Sequence, residues 1–182
     1  MYGILDNTEW IAYICALIGP FIQEDAAVLG AASASVSGIG TPMGMFIAIT
    51  AGLTVSDLWK YWIGRAAITQ PWAQKHAQNP RILKAKDNIV HNLGKSIMIA
   101  RFVPGTRIPL YIAAGFFQAS FLKFASFIFL SALIYIGIAF GLFKILGEVA
   151  GEEAKKYLPI VAIIGFVALL VFKKIKHKPL EN

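Results

Sequence analysis

Apolar residues fall into long runs separated by short polar intervals, a pattern typical of membrane proteins. Residues 124–143 form an uncharged run of 20, the length that an α-helix needs to cross the hydrocarbon core of a bilayer. We therefore predict an all-α membrane protein with a single transmembrane domain. Spanning helices are predicted over 42–65, 121–146 and 157–173.

Two apolar stretches are interrupted in ways that a straight spanning helix is not. Residues 10–41 combine a short uncharged run, two acids and a small-residue stretch that ends in a turn from Gly38 to Pro42. Residues 96–119 combine two arginines with two prolines. Irregular backbone at membrane depth is tolerated where it lies inside protein or lines a cavity. Both stretches are therefore predicted to be re-entrant helical hairpins, which enter from opposite faces as an inverted repeat.

The basic residues predict the topology. Net charge is +7, and Lys and Arg are concentrated in the interval 74–95 and in the tail 174–182. Positive charges favour the cytoplasmic side, so we predict a multi-pass protein of the inner or plasma membrane with a cytoplasmic C-terminus. The interval 74–95 is predicted to be an amphipathic helix on the membrane surface. A DNA-binding helix is the alternative there, but we expect no nucleic-acid partner. The mixed-charge segment 144–156 is predicted to be an outer loop.

Two arginines in the second interrupted stretch are candidates for a binding site. Arg101 and Arg107 are costly in hydrocarbon and need partners or water. A hairpin turn is predicted in this stretch, formed by Pro104, Gly105 and Pro109. Such a turn can aim both guanidinium groups into one pocket, where each offers a planar fork for a phosphate or a carboxylate.

Glu24 and Asp25 are the acids that two long apolar runs bracket. Acidic side chains at membrane depth are typical of proton relays, so one of the two is a candidate for proton coupling, with Glu24 slightly preferred. The structural alternatives are that this pair caps the next helix, and that the arginines form ion pairs with Glu24, Asp25 or a backbone carbonyl.

Motifs for enzymatic chemistry are absent from the sequence. There is no zinc-binding HExxH motif, no nucleophile elbow and no phosphate-binding loop, and no histidine lies in an apolar run. We therefore expect no enzymatic activity, no cofactor and no metal. Cys15 is the single cysteine, and its place in an apolar run predicts a small buried side chain.

Residues 100–109 read ARFVPGTRIP and are followed by Ala114 and Gly115. This stretch closely resembles the arginine signature of the DedA family, which shares the VTT domain with eukaryotic lipid scramblases. Residues 56–65, SDLWKYWIGR, are similar to a second motif, in which Ser56 replaces a glycine. The motif positions matched there are Asp57, Tyr61, Gly64 and Arg65.

A third segment, FIQEDAAVLG at 21–30, is more loosely similar to the family's acidic re-entrant segment. The resemblance implies two opposed hairpins and a phospholipid or polyprenyl-phosphate cargo. It implies phosphate binding for Arg101 and Arg107, and proton coupling for Glu24 or Asp25. The chain lacks the family's Pro-Gly before the acid and a further acid upstream of it.

Our leading hypothesis is a flippase or scramblase for phosphate-bearing lipids such as undecaprenyl phosphate. Arg101 and Arg107 would grip the phosphate in a cavity between the hairpin tips, and Glu24 or Asp25 would compete for them according to its protonation. The expected partners are membrane lipids and protons, and the small-residue stretch 31–40 could also serve a homo-oligomer. A small cation/proton antiporter and a non-transporting membrane-shaping scaffold are the alternatives.

Overall fold

A computed structural model describes residues 7–71, 86, 89–103 and 105–155, with side chains described between residues 9 and 149 of these ranges. Within them the secondary structure is helical and contains no strand. The described residues form two compact units: unit 1 within Met1–Gly52 and Ile136–Asn182, and unit 2 within Leu53–Tyr135. The helices are α1 (Asn7–Ile22), α2 (Glu24–Val36), α3 (Pro42–Ala67), α4 (Leu93–Phe102), α5 (Arg107–Phe116) and α6 (Phe121–Lys155).

Two of these helices are long and apolar enough to cross a membrane. They are α3, with 26 residues, and the part of α6 from Phe121 to Val149, with 29 residues. Large apolar side chains such as Leu142 and Ile145 are exposed along α6, while the charged side chains of Asp57 and Arg101 are buried. Apolar side chains on the outside and charged side chains inside are expected of helices in contact with lipid.

The first predicted hairpin is observed in unit 1 as α1 and α2, which fold back on each other at Gln23. A Cβ atom on Gly19 would lie 3.0 Å from the Cβ of Ala27, so the two helices approach closely. Pro20 lies inside α1, close to its end, and has no N–H group to donate to the helix. The re-entrant placement of this hairpin and the inverted repeat stay predictions.

The predicted turn before the first spanning helix is also observed. Gly38 and Gly40 have φ angles of +78° and +74°, a region that favours glycine. The backbone N–H of Thr41 donates a 2.7 Å hydrogen bond to the hydroxyl of Tyr13, which joins the turn to α1. Helix α3 then begins at Pro42, as the sequence predicted, because proline is well suited to the first helical position.

In unit 2 the second hairpin, α4 and α5, packs with α3 and α6 around one core. Leu93 and Ile97 belong to this core, so α4 begins three residues earlier than the hairpin predicted from residue 96. Burial of Leu93 explains the difference, because this residue of the predicted surface helix packs in the core while Lys95 stays exposed. The core residues are Tyr61, Leu93, Ile97, Tyr111, Ala114, Ala119, Phe124 and Ile128.

Two further predictions are corrected. Cys15 is exposed rather than buried, because the outer surface of α1 is itself apolar and a small hydrophobic side chain suits it. The predicted loop over 144–156 is helical through Lys155. Its sequence has no proline and is rich in Glu and Lys, which are strong helix formers.

Several predicted segments lie outside the described residues. They are most of the amphipathic helix over 74–95, the spanning helix over 157–173 and the tail over 174–182.

Candidate functional site

One face of α3 gathers the residues of the second motif. Asp57, Tyr61 and Gly64 are separated by four and then three positions, which places them on one side of a helix, and Lys60 shares that side. Asp57 and Tyr61 are buried. The hydroxyl of Tyr61 donates a 2.7 Å hydrogen bond to the carbonyl of Ala119, at the start of the segment that leads into α6. This face of α3 therefore belongs to the interior of unit 2.

Arg101 lies at the centre of this interior and is fully buried. Its Nη2 atom is 2.9 Å from Oδ2 of Asp57. Ser131 accepts hydrogen bonds from Nε at 3.2 Å and from Nη2 at 3.0 Å. The carbonyl of Ile128 accepts a 3.3 Å hydrogen bond from Nη2. Arg101 thus joins three helices: α4, which bears it, α3 through Asp57, and α6 through Ser131 and Ile128.

Asp57 is the partner of Arg101 that the sequence analysis missed. The partners predicted for the arginines were Glu24, Asp25 or a backbone carbonyl. Of these, Arg101 contacts a backbone carbonyl, that of Ile128. A sequence signal was available, because Asp57 is the single acid between Asp25 and Asp87 and lies in an apolar run. A buried arginine needs an opposite charge, so the acid of the second motif was its natural partner.

A second cation contacts the same carboxylate. Nζ of Lys60 lies 3.0 Å from Oδ1 of Asp57, and the Lys60 side chain is 13% exposed. The same ammonium group lies 3.5 Å from the hydroxyl of Ser56. One buried carboxylate therefore contacts a fully buried guanidinium on one oxygen and a partly accessible ammonium on the other.

Arg107 begins α5, directly after the hairpin turn, and is buried. Its guanidinium carbon lies 5.3 Å from the centroid of the Tyr135 ring, a distance typical of a cation–π contact. The N-terminus of a helix has a partial positive charge, which disfavours a cation there and favours an anion. The Arg107 guanidinium and the first N–H groups of α5 are therefore both groups that attract an anion.

The turn between the two arginines contains a glycine in a conformation that glycine favours. Gly105 has a φ angle of +87°. The Thr106 hydroxyl donates a 2.8 Å hydrogen bond to the carbonyl of Val103, which tightens the turn. Pro109, predicted as a turn residue, lies in the first turn of α5, where a missing N–H costs little. Pro104 lies outside the described residues.

Two glycines, one from each family-like motif, let α3 and α5 cross at very short distance. A Cβ atom on Gly64 would collide with the carbonyl oxygen of Ile112, and one on Gly115 with the carbonyl oxygen of Tyr61. The contact is reciprocal, and both positions therefore require glycine. Arg65, the last residue of the second motif, is exposed in the last turn of α3.

Glu24 and Asp25 occupy the first turn of α2 in unit 1, and both are half-buried. Acids are favourable at a helix N-terminus, because they complement its partial positive charge. This position agrees with the structural alternative for the pair, in which it stabilises the start of α2. The two arginines belong to unit 2.

An apolar groove of about 490 Å³ follows the second hairpin. Neither arginine lines it, so this groove is not the pocket that the sequence predicted for them. Its lining consists of Ile89, Ser96, Ile99, Ala100 and Val103 from the α4 side, and Thr106, Pro109, Leu110 and Ala113 from the α5 side.

Comparison with protein families identifies the chain. The family model of the VTT domain matches residues 25–145, about two thirds of the sequence, which confirms the resemblance that the two motifs indicated. The match includes Asp57, Arg101 and Arg107. No curated protein and no solved structure matches the chain significantly. The protein therefore belongs to the family defined by the VTT domain, the domain of DedA proteins, and is a membrane protein of the DedA type.

Proposed function

We propose that this protein moves phosphate-bearing lipids, such as undecaprenyl phosphate or phospholipids, across the membrane. The observation that carries the proposal is the burial of Arg101 and Arg107 on either side of one hairpin turn. Burying a guanidinium group is costly, and arginines inside membrane proteins commonly mark the path of a charged substrate. A guanidinium fork fits a phosphate, which two parallel hydrogen bonds can hold.

The two arginines have different contacts. The guanidinium of Arg107, at the start of α5, contacts the face of the Tyr135 ring. Arg101 contacts the buried Asp57 and would lose this opposite charge if it moved away. We assign the first contact with the phosphate to Arg107, because the N-terminus of α5 adds favourable N–H groups there.

Arg101 joins the phosphate in a second step, and the lipid tail stays in the bilayer. The protein makes and breaks no covalent bond in this scheme, so it is a transporter and not an enzyme. Glu24 and Asp25 are the acids that we propose for proton coupling, with one of them taking up and releasing the proton. Their half-buried position in the first turn of α2 supports access to protons.

The test is lipid movement in vesicles reconstituted with the purified protein and a fluorescent polyprenyl phosphate. Quenching from outside reports how much of the lipid has changed leaflet. Arg107→Gln should slow the movement about tenfold or more, because a hydrogen bond to a charged group contributes roughly 1.5–3 kcal/mol. Arg107→Lys should keep part of the rate. Lys123→Gln, which removes an exposed cation of α6, is the matched control and should move lipid like wild type.

A wild-type rate in Arg107→Gln would contradict the proposal. A pH gradient should accelerate the wild type, and Glu24→Gln or Asp25→Asn should remove that response without abolishing movement. Movement that ignores the gradient would identify a passive scramblase. Voltage-dependent ion flux in vesicles without phosphate lipid, with no lipid movement, would favour the antiporter instead.

A further inference from the structure

We propose that Asp57 is an internal anion which the cargo phosphate displaces from Arg101, and that Lys60 retains the released carboxylate. Asp57 and Lys60 are thus positioning residues for cargo exchange. This inference rests on the proposed function, and it explains how a fully buried arginine becomes available to a cargo.

The geometry of the Asp57 carboxylate divides its two oxygens between two cations. Oδ2 lies 2.9 Å from Nη2 of Arg101, and Oδ1 lies 3.0 Å from Nζ of Lys60. Asp57 and Arg101 are fully buried, whereas Lys60 is partly accessible. When the carboxylate leaves Arg101, it therefore already has a second cation in contact.

Arg101 also has a donor that can receive an incoming oxygen before Asp57 leaves. Its Nη1 atom is buried and has no hydrogen-bond partner among the residues that the structure describes. Such buried donors are uncommon in folded proteins and call for an explanation. Meanwhile Ser131 and the carbonyl of Ile128 hold Nε and Nη2, so the guanidinium stays in place during the exchange.

Exchange keeps every buried charge in contact with an opposite one. Simple separation of Asp57 from Arg101 would leave the buried guanidinium without an opposite charge, which is strongly unfavourable. In the exchange, the phosphate first bonds to Nη1, then replaces Asp57 at Nη2, and Asp57 remains with Lys60. Release reverses these steps, with Asp57 returning to expel the phosphate. Asp57 therefore weakens cargo binding and accelerates cargo release.

A purely structural role for Asp57 predicts the opposite result for binding. If Asp57 only fixes Arg101, then Asp57→Asn should loosen Arg101 and weaken binding of the phosphate. If Asp57 competes with the cargo, the same variant should bind the phosphate more tightly. The sign of the change in affinity therefore separates the two roles.

The experiment measures the affinity for farnesyl monophosphate in detergent micelles by calorimetry, together with lipid movement in vesicles. Asp57→Asn should bind about tenfold more tightly, within the usual range of coupling between two competing ligands. Its lipid movement should be slower than that of wild type, because release becomes limiting. Lys60→Gln should bind about tenfold more weakly, since the displaced carboxylate loses its second cation. Lys60→Arg keeps a cation at this position and should bind farnesyl monophosphate like wild type.

Glu148→Gln removes an exposed acid from α6 and is the matched control, with unchanged binding expected. Unchanged or weaker binding in Asp57→Asn would overturn the exchange. If Asp57→Asn does not fold, Lys60→Gln is the deciding variant. Wild-type affinity of Lys60→Gln for farnesyl monophosphate would overturn the exchange. A wild type that neither binds farnesyl monophosphate nor moves lipid would instead refute the proposed function. A wild type that does both, with variants that bind as it does, would refute the exchange alone.

Discussion

The two hairpins share an outline but differ in what fills their interiors. In the first, α1 and α2 meet at the single residue Gln23 and approach through Gly19 and Ala27, and the acids at the start of α2 are half-buried. In the second, α4 and α5 flank a longer turn, and Arg101 and Arg107 are buried in contact with other helices. Small residues pack the first hairpin, whereas charged groups are part of the packing in the second. Removing a charge should therefore affect folding mainly in the second.

The largest effect is expected at Arg101. Arg101→Met would leave Asp57 in the interior without its guanidinium, and breaking one side of a buried ion pair costs roughly 3–5 kcal/mol. We expect a clear fall in the melting temperature of the detergent-solubilised protein. Lys95→Met removes an exposed cation from the same helix and should melt like wild type. Equal melting temperatures for both variants would contradict the comparison.

A smaller effect is expected where the second hairpin crosses α3. Gly64→Ala and Gly115→Ala each place a methyl group against a backbone carbonyl, and overpacking of this kind costs about 1–3 kcal/mol. Gly137→Ala is the matched control, because nothing lies within 4 Å of the added Cβ and alanine favours a helix. Thermal unfolding should rank the control at or above wild type and the other two below it. The reverse order would refute the reciprocal crossing.

The smallest effect is expected in the first hairpin. Glu24→Gln and Asp25→Asn remove half-buried acids at the start of α2, and the loss of their interaction with the helix terminus is worth about 1 kcal/mol or less. Their melting temperatures should stay close to that of wild type even where transport changes. A loss as large as that of Arg101→Met would show that charge is part of the packing in both hairpins.

Local sequence signals predicted the helices well where one residue fixes the backbone. Pro42 marks the start of α3, and the glycines at 38 and 40 mark the turn before it. Gly105 was likewise placed in the turn between the arginines. The 20-residue uncharged run identified α6, although the helix extends well into the charged segment that follows, since charged residues do not end a helix by themselves.

Pairing over long sequence distances was harder to predict. Arg101 and Asp57 are 44 positions apart, and no periodicity links them. Their separate motifs indicated that each residue mattered, but only the crossing of α3 with the second hairpin brings them together. The contact of Arg107 with Tyr135 had no sequence signal at all, because an aromatic residue in an apolar helix is unexceptional.

The crossing of Gly64 and Gly115 also limits how the second hairpin can work. With two backbones in direct contact, α5 cannot act as a piston that slides along α3, because any shift of one residue would drive a side chain into a carbonyl group. Arg107 lies eight residues from this pivot and Asp57 seven, or about 12 and 10 Å along their helices at 1.5 Å per residue. The positions of Arg107 and Asp57 are thus both set by their distance along the helix from the crossing of Gly64 and Gly115. Rearrangement of the contacts around Arg101 is therefore expected to come from its neighbouring side chains and not from sliding of α5 along α3.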